Sequence, residues 1–88
     1  MSSSLRVLIA DDEALHNLAL SSQLQQLGHE VVGTASNGRE GVELAKEPRP
    51  DLVFLDIRMP EMTGPEAAQA ISSDRPVPIV ILSAYSDE

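Results

Sequence analysis

Short apolar runs alternate with helix-patterned stretches from one end of the chain to the other, and few folds accept that order. Leu5–Ala10 (LRVLIA) reads as a buried strand, stopped by Asp11-Asp12. Ala14–Leu27 reads as a helix, with Leu15, Leu18, Leu20, Leu24 and Leu27 spread over a wide apolar face. Asp12 is placed to cap it, Glu13 suits the positive first turn, and Gly28 fits the stop after the last turn. Glu30–Ala35 (EVVGTA) is a second strand, near an edge because it carries Gly33. Asn37-Gly38-Arg39-Glu40 is patterned like a capping box and opens a second helix, which ends before Pro48 and Pro50. Asp51–Asp56 (DLVFLD) is apolar on both faces, as the central strand of a parallel sheet is. Thr63-Gly64-Pro65-Glu66 is a further capping box with proline in the first turn, opening an Ala-rich helix to about Ser72. Pro76–Leu82 (PVPIVIL) is a fourth strand whose prolines stand at its entry, where ladder donors are not needed.

The order is therefore β-α-β-α-β-α-β. It predicts an α/β fold in which helices cover both faces of a parallel sheet. No two strands are joined by a two-residue turn, so hairpins are not indicated. At 88 residues the chain makes one small domain, with no repeat, linker or low-complexity tract beyond Ser2–Ser4. Composition then narrows the chemistry. Without cysteine there are no disulfides and no thiolate metal sites. Six Lys and Arg against fourteen Asp and Glu leave a net charge of −8, which disfavours a nucleic-acid surface and suits a divalent cation or a basic partner. Phe54 and Tyr85 are the only aromatics, so base stacking is not expected. No run approaches the ~18 apolar residues of a membrane span, and the start of the chain lacks a signal-peptide pattern. The expectation is a soluble, cytoplasmic protein that engages neither membrane nor nucleic acid through this chain.

Three acids stand where such folds do their chemistry. Asp11 and Asp12 follow the first strand, and Asp56 closes the third. In a parallel sheet all three lie at the carboxyl edge. If the two strands are neighbours, the carboxylates share the crevice in which open α/β sheets bind ligands. Clustered carboxylates repel, which raises pKa values or recruits a cation. Oxygen-only ligands favour a hard ion such as Mg2+, and a carboxylate beside it can attack phosphorus. An acid after a strand is more commonly a cap or a turn residue, and Asp12 can be both cap and ligand. The joint pattern is harder to obtain by chance: an acidic pair, a third acid, then Met59-Pro60 and Gly64 at fixed offsets.

These residues resemble the receiver domain of two-component response regulators. The resemblance is carried by VLIADDE (Val7–Glu13), LVFLDIRMPEMTG (Leu52–Gly64) and VPIVILSAY (Val77–Tyr85), and it spans almost the whole chain. The most specific piece is Asp-x-x-Met-Pro-x-Met-x-Gly from Asp56 to Gly64. It implies a flavodoxin-like sheet of order 2-1-3-4-5. It implies that Asp56 accepts a phosphoryl group from a sensor histidine kinase or a phosphotransfer protein. Asp12 would then bind Mg2+ directly, Asp11 would act through water, and the backbone carbonyl of Arg58 would complete the protein ligands. Ser83 matches the family's switch hydroxyl, and Ala84 the small residue that leaves the phosphoryl group room.

Against the family's five strands and five helices, residues 1–88 read as a truncated receiver of order 2-1-3-4. The fourth helix, fifth strand and fifth helix are lacking, and with them the lysine at the end of the fifth strand. Lys46 is the only lysine, late in the second helix and expected on the rim opposite Asp56. Crossovers are right-handed in about 98% of cases, which puts the first helix on one face and the second and third on the other. Part of the third and fourth strands is then uncovered: Val53, Leu55, Ile79 and Ile81, or the opposite parity. A bare apolar face beside an open strand edge predicts a homodimer through the fourth strand or the uncovered face.

Other residues carry less. His16 and His29 have no metal-site partners at useful spacing and are expected to be solvated. Met59 and Met62 are expected to pack, and Glu40, Glu43 and Glu47 to form a solvated helix face. The phosphoacceptor reading competes with a non-switching interaction module that keeps the acidic pocket. A third possibility is a piece of a longer regulator whose output segment binds RNA or DNA. A Mg2+-dependent phosphatase of similar build would want an acid at position 58, where Arg58 stands.

Overall fold

A computed structural model describes residues 4–47 and 49–82. The elements follow the expected order: β1 (Arg6–Ala10), α1 (Ala14–Gln26), β2 (Glu30–Ala35), α2 (Gly38–Lys46), β3 (Leu52–Asp56), α3 (Gly64–Asp74) and β4 (Ile79–Leu82). All pairings are parallel, and the sheet order is β2-β1-β3-β4. The jump from β2 back across β1 to β3 opens a crevice between the carboxyl ends of β1 and β3.

Alternation along the strands feeds two cores. Val7 and Ile9 face α1 and pack with Leu20, Leu24, Val31 and Phe54. Leu8, Ala10, Val53 and Leu55 face the other way, under α2 and α3, with Ala45, Ala67 and Ile71. Every one of these β1 side chains is fully buried, as a central strand requires. A register slip between Val7 and Leu8 lets β2 carry one extra residue.

The helix ends correct several sequence expectations. Asp12 does not cap α1; Glu13 holds the N-cap position without a side-chain bond, and the first turn contains no acid. Asp11 instead closes the turn that leads into the helix, its Oδ1 accepting the Glu13 N–H at 2.9 Å. Gly28 ends the helix as expected, at φ 95°, with the His29 N–H returned to the Leu24 carbonyl. At α2, Asn37 caps the Glu40 N–H, but the Glu40 carboxylate reaches back to Ser36. At α3 the capping box is complete, with Thr63 and Glu66 bonded reciprocally. β4 is shorter than Pro76–Leu82 because prolines cannot donate; the ladder begins where the Val53 N–H meets the Pro78 carbonyl at 3.1 Å.

The apolar face of α1 is narrower than its leucines suggest. Asn17, Leu20 and Leu24 point inward at helical spacing, whereas Leu15 (73% exposed) and Leu18 (66%) fall off that stripe into solvent with Leu27. His29 is half-buried rather than solvated, and its Nδ1 accepts the Leu5 N–H at 3.1 Å.

α1 lies over β1 and β2, and α2 and α3 cover the other face. The opposite parity is therefore the uncovered one. Leu52, Phe54 and Leu82 are only half-buried, and Val80 is 40% exposed, on the α1 side of β3 and β4. Ile81 is also exposed, at the open edge of β4.

Candidate functional site

Three strand ends build the site. β1 ends one residue before Asp11, whose N–H continues the ladder to the Ala35 carbonyl at 3.0 Å. Asp56 is the last residue of β3, and β1 lies directly beside β3. Asp11 and Asp56 are 5% and 4% exposed, while Asp12 stands in solvent at the turn into α1. One oxygen from each of the three carboxylates falls within 4.8 Å of the others. The structure thus joins Asp11, Asp12 and Asp56 as the residue pattern predicts.

The electrostatics follow from that crowding. Burial raises the pKa of Asp56 above its ordinary value near 3.8, and the neighbouring Asp11 raises it further. The Ile57 N–H, which donates to Asp56 Oδ1 at 2.9 Å, pulls it back down; Asp12 adds a smaller upward push and His16 a smaller downward one. Among the described residues no Lys or Arg pairs with any of the three acids.

Asp11 is held at every polar atom. Its N–H goes to Ala35, its carbonyl accepts Asn17 Nδ2 at 3.0 Å, its Oδ1 accepts the Glu13 N–H, and its Oδ2 meets His16 Nδ1 at 3.2 Å. His16 is thus half-exposed and bonded to the site, not simply solvated. Its position five residues after Asp11, on the first turn of α1, is the signal that was available. Asn17 was not singled out in sequence; a polar residue on the inward stripe of 17, 20 and 24 is its only trace.

The loop after Asp56 is fixed from two sides. Gly64 lies against the Asp56 carbonyl, where an added Cβ would overlap that oxygen, and its N–H bonds the Ile57 carbonyl at 3.0 Å. Met62 sits against Gly38 at the start of α2, again without room for a Cβ, and Glu61 pairs with Arg39 at 3.3 Å. Met59 is buried in the core, so packing is its role. Arg58 is exposed in this loop, two residues beyond Asp56. Ser83 and Ala84 lie outside the described residues. Lys46 ends α2, far along the helix from the carboxyl edge where α2 begins. Beside the acids, Asp11, His16, Leu20, Asp56 and Leu82 border an open groove of about 310 Å³ on the α1 face.

An open parallel sheet whose switch point holds three carboxylates, one of them a buried strand-end aspartate, defines a receiver-type domain of two-component signalling. The chain belongs to the response regulator receiver domain family, whose profile matches residues 7–88. Among its relatives is the transcriptional regulatory protein PdtaR of Mycobacterium tuberculosis, 51% identical over 81 residues, covering 92% of this chain and 40% of PdtaR. The crystal structure of the response regulator domain of Thermotoga maritima CheB superposes with a TM-score of 0.88 at 36% identity, covering 98% of this chain and 65% of that one. A CheX-CheY-BeF3-Mg2+ complex from Borrelia burgdorferi gives a TM-score of 0.84 at 32% identity, covering 94% of this chain and 64% of that one. Receivers of this family accept phosphoryl groups, bind Mg2+ at an acidic cluster and engage histidine kinases or phosphotransfer proteins. No helix among the described residues is long and apolar enough to cross a membrane.

Proposed function

We propose that Asp56 of this chain accepts a phosphoryl group from a sensor histidine kinase or a phosphotransfer protein, with Mg2+ held by the acidic trio, in a cytoplasmic setting. The observation that carries this reading is the meeting of Asp11, Asp12 and Asp56 within 4.8 Å, two of them buried. A donor set of carboxylate oxygens suits a hard cation, and among the described residues no Lys or Arg offsets the mutual repulsion of the three acids. Asp12 would ligate the ion directly, Asp11 through water, and the Arg58 carbonyl would complete the protein's share. When bound, Mg2+ neutralises the carboxylates and the incoming phosphoryl oxygens.

The residues divide the work. The Ile57 N–H donates to Asp56 Oδ1 and so orients the carboxylate, one oxygen of which attacks phosphorus. A new O–P bond forms as the P–N bond to the donor imidazole breaks; that electron pair stays with the imidazole, which takes up a proton. Positioning and charge neutralisation supply the rate, as in phosphoryl transfer generally. Ser83 and Ala84 would bind the transferred group and give it room. The chain catalyses nothing beyond its own phosphorylation and dephosphorylation on this reading. Incubation with Mg2+ and a small-molecule phosphodonor, followed by intact-mass measurement, tests it. A single phosphoryl adduct that Asp56→Ala abolishes is expected; an unmodified wild-type chain that still binds Mg2+ contradicts it.

A second reading rests on the uncovered β3–β4 face, where Phe54, Val80 and Leu82 meet solvent beside an open strand edge. An apolar surface of this kind supports self-association through the β4 edge or this face. The acidic pocket would then serve an interaction module that does not switch. A chain that takes up no phosphoryl group and sediments as a dimer favours this second reading.

A further inference from the structure

One side chain outside the acidic trio grips the turn that carries two of its members. Asn17 is buried in α1, and its Nδ2 donates to the Asp11 carbonyl at 3.0 Å and to the Ala35 carbonyl at 3.1 Å. Its main-chain N–H donates to the Glu13 carbonyl at 3.2 Å. The acidic turn is only Asp11-Asp12-Glu13; the Asn17 amide holds its first residue and ties it to the end of β2, while the bond to Glu13 is the ordinary helix bond that any residue at position 17 makes. Ala35 already accepts the Asp11 N–H, so the amide closes a small network rather than rescuing an orphan carbonyl there.

The geometry does not follow from packing needs. Asn17 Oδ1 is buried with no hydrogen-bond partner, which a leucine would avoid, but a leucine would also leave the Asp11 carbonyl without the amide donor. Leucine occupies the next inward positions of the same stripe, Leu20 and Leu24. The amide at position 17 therefore leaves one buried acceptor of its own unpaired while pairing the Asp11 carbonyl. It is a good choice for fixing where the Asp11 main chain stands. A displaced Asp11 would carry Asp12 with it, since the two are consecutive, and Asp56 is anchored separately on β3.

We infer that Asn17 is a positioning residue for metal binding: its buried amide fixes the Asp11-Asp12-Glu13 turn at the distance from Asp56 that the cation requires. The inference rests on the Mg2+ reading given above. It concerns this chain's own amide, which touches neither the ion nor the phosphoryl group. Partners behind the ligands of a metal site commonly shift affinity by about 10- to 100-fold when removed.

A Mg2+ titration followed by the Ile57 amide signal in two-dimensional NMR tests it, because that N–H bonds Asp56. Asn17→Leu keeps the branched shape, with bulkier methyl groups, and removes both donors; Asn17→Ala removes volume as well. Leu24→Ala loosens the same helix away from the acids and reports the cost of a destabilised α1. The expected result is a roughly ten-fold weaker Mg2+ affinity for Asn17→Leu and Asn17→Ala, with Leu24→Ala within about two-fold of wild type. Wild-type affinity in Asn17→Leu overturns the inference, and so does an equal loss in Leu24→Ala. A wild-type chain whose Ile57 signal ignores Mg2+ overturns the metal reading itself and this inference with it, an outcome distinct from binding that Asn17 does not influence. Should the Asn17 variants not fold, the wild type still decides. Its Asn17 side-chain NH2 protons must exchange slowly with water, and fast exchange overturns the inference.

Discussion

Gly64 opens α3 directly against the main-chain carbonyl of Asp56, in a space that a methyl group cannot share. The glycine therefore sets how the strand-end aspartate leads into its loop. Gly64→Ala must push the α3 start away from β3, at a cost of about 1–3 kcal/mol. Chemical denaturation should show that loss, and Mg2+ should bind the variant more weakly. A variant as stable as wild type would mean that the contact yields freely.

Asp56 ionises reluctantly because burial and Asp11 both oppose its charge. A carboxyl whose folded pKa exceeds its unfolded value holds its proton more tightly when folded. Its contribution is fully present below the unfolded value and is lost as pH rises through the folded one. Asp56→Asn removes that loss. The metal-free variant should melt a few degrees above wild type at neutral pH, and the gap should close toward about pH 4, near the unfolded carboxyl value. Parallel melting profiles across that range would contradict the assignment.

Mg2+ should stabilise the wild-type chain by mass action. At ten times its dissociation constant the gain is about 1.4 kcal/mol. Chelation should reverse it. Asp12→Ala should melt at the same temperature with and without Mg2+. Equal Mg2+ stabilisation of wild type and Asp12→Ala would place the ion elsewhere.

The edge of β4, unpaired among the described residues, predicts a concentration-dependent change of mass in solution. Val80→Lys places a charge on the exposed apolar face without touching the buried core. Sedimentation should show self-association of the wild type and a shift to monomer in the variant. A wild type that stays monomeric at high concentration removes the second reading.

Much of the fold was legible because its signals were local. Val7–Ala10 and Val53–Leu55 are apolar on both faces, and Thr63-Gly64-Pro65-Glu66 forms the expected capping box. The acidic trio followed from strand ends plus a parallel order. What escaped depended on direction rather than composition. Five leucines in α1 suggested a wide face, but which ones turn inward is decided by the neighbouring sheet, which admits Leu20 and Leu24 and leaves Leu15 and Leu18 in water. Asp11 and Asp12 are adjacent and chemically alike, so nothing in the sequence said that Asp11 would serve the helix start while Asp12 stayed free. His16 and Asn17 acquire roles only through contacts with Asp11 and Ala35, the latter brought near by the β1–β2 pairing.

On the proposed reading Asp56, and no other acid of the trio, becomes the acyl phosphate. Borohydride reduction after phosphorylation in Mg2+, followed by peptide mapping, reads this directly, because an aspartyl phosphate is converted to homoserine at the modified position. Homoserine is expected at position 56 alone, and none when Mg2+ is chelated. Conversion at Asp11 or Asp12, or conversion independent of Mg2+, would contradict it.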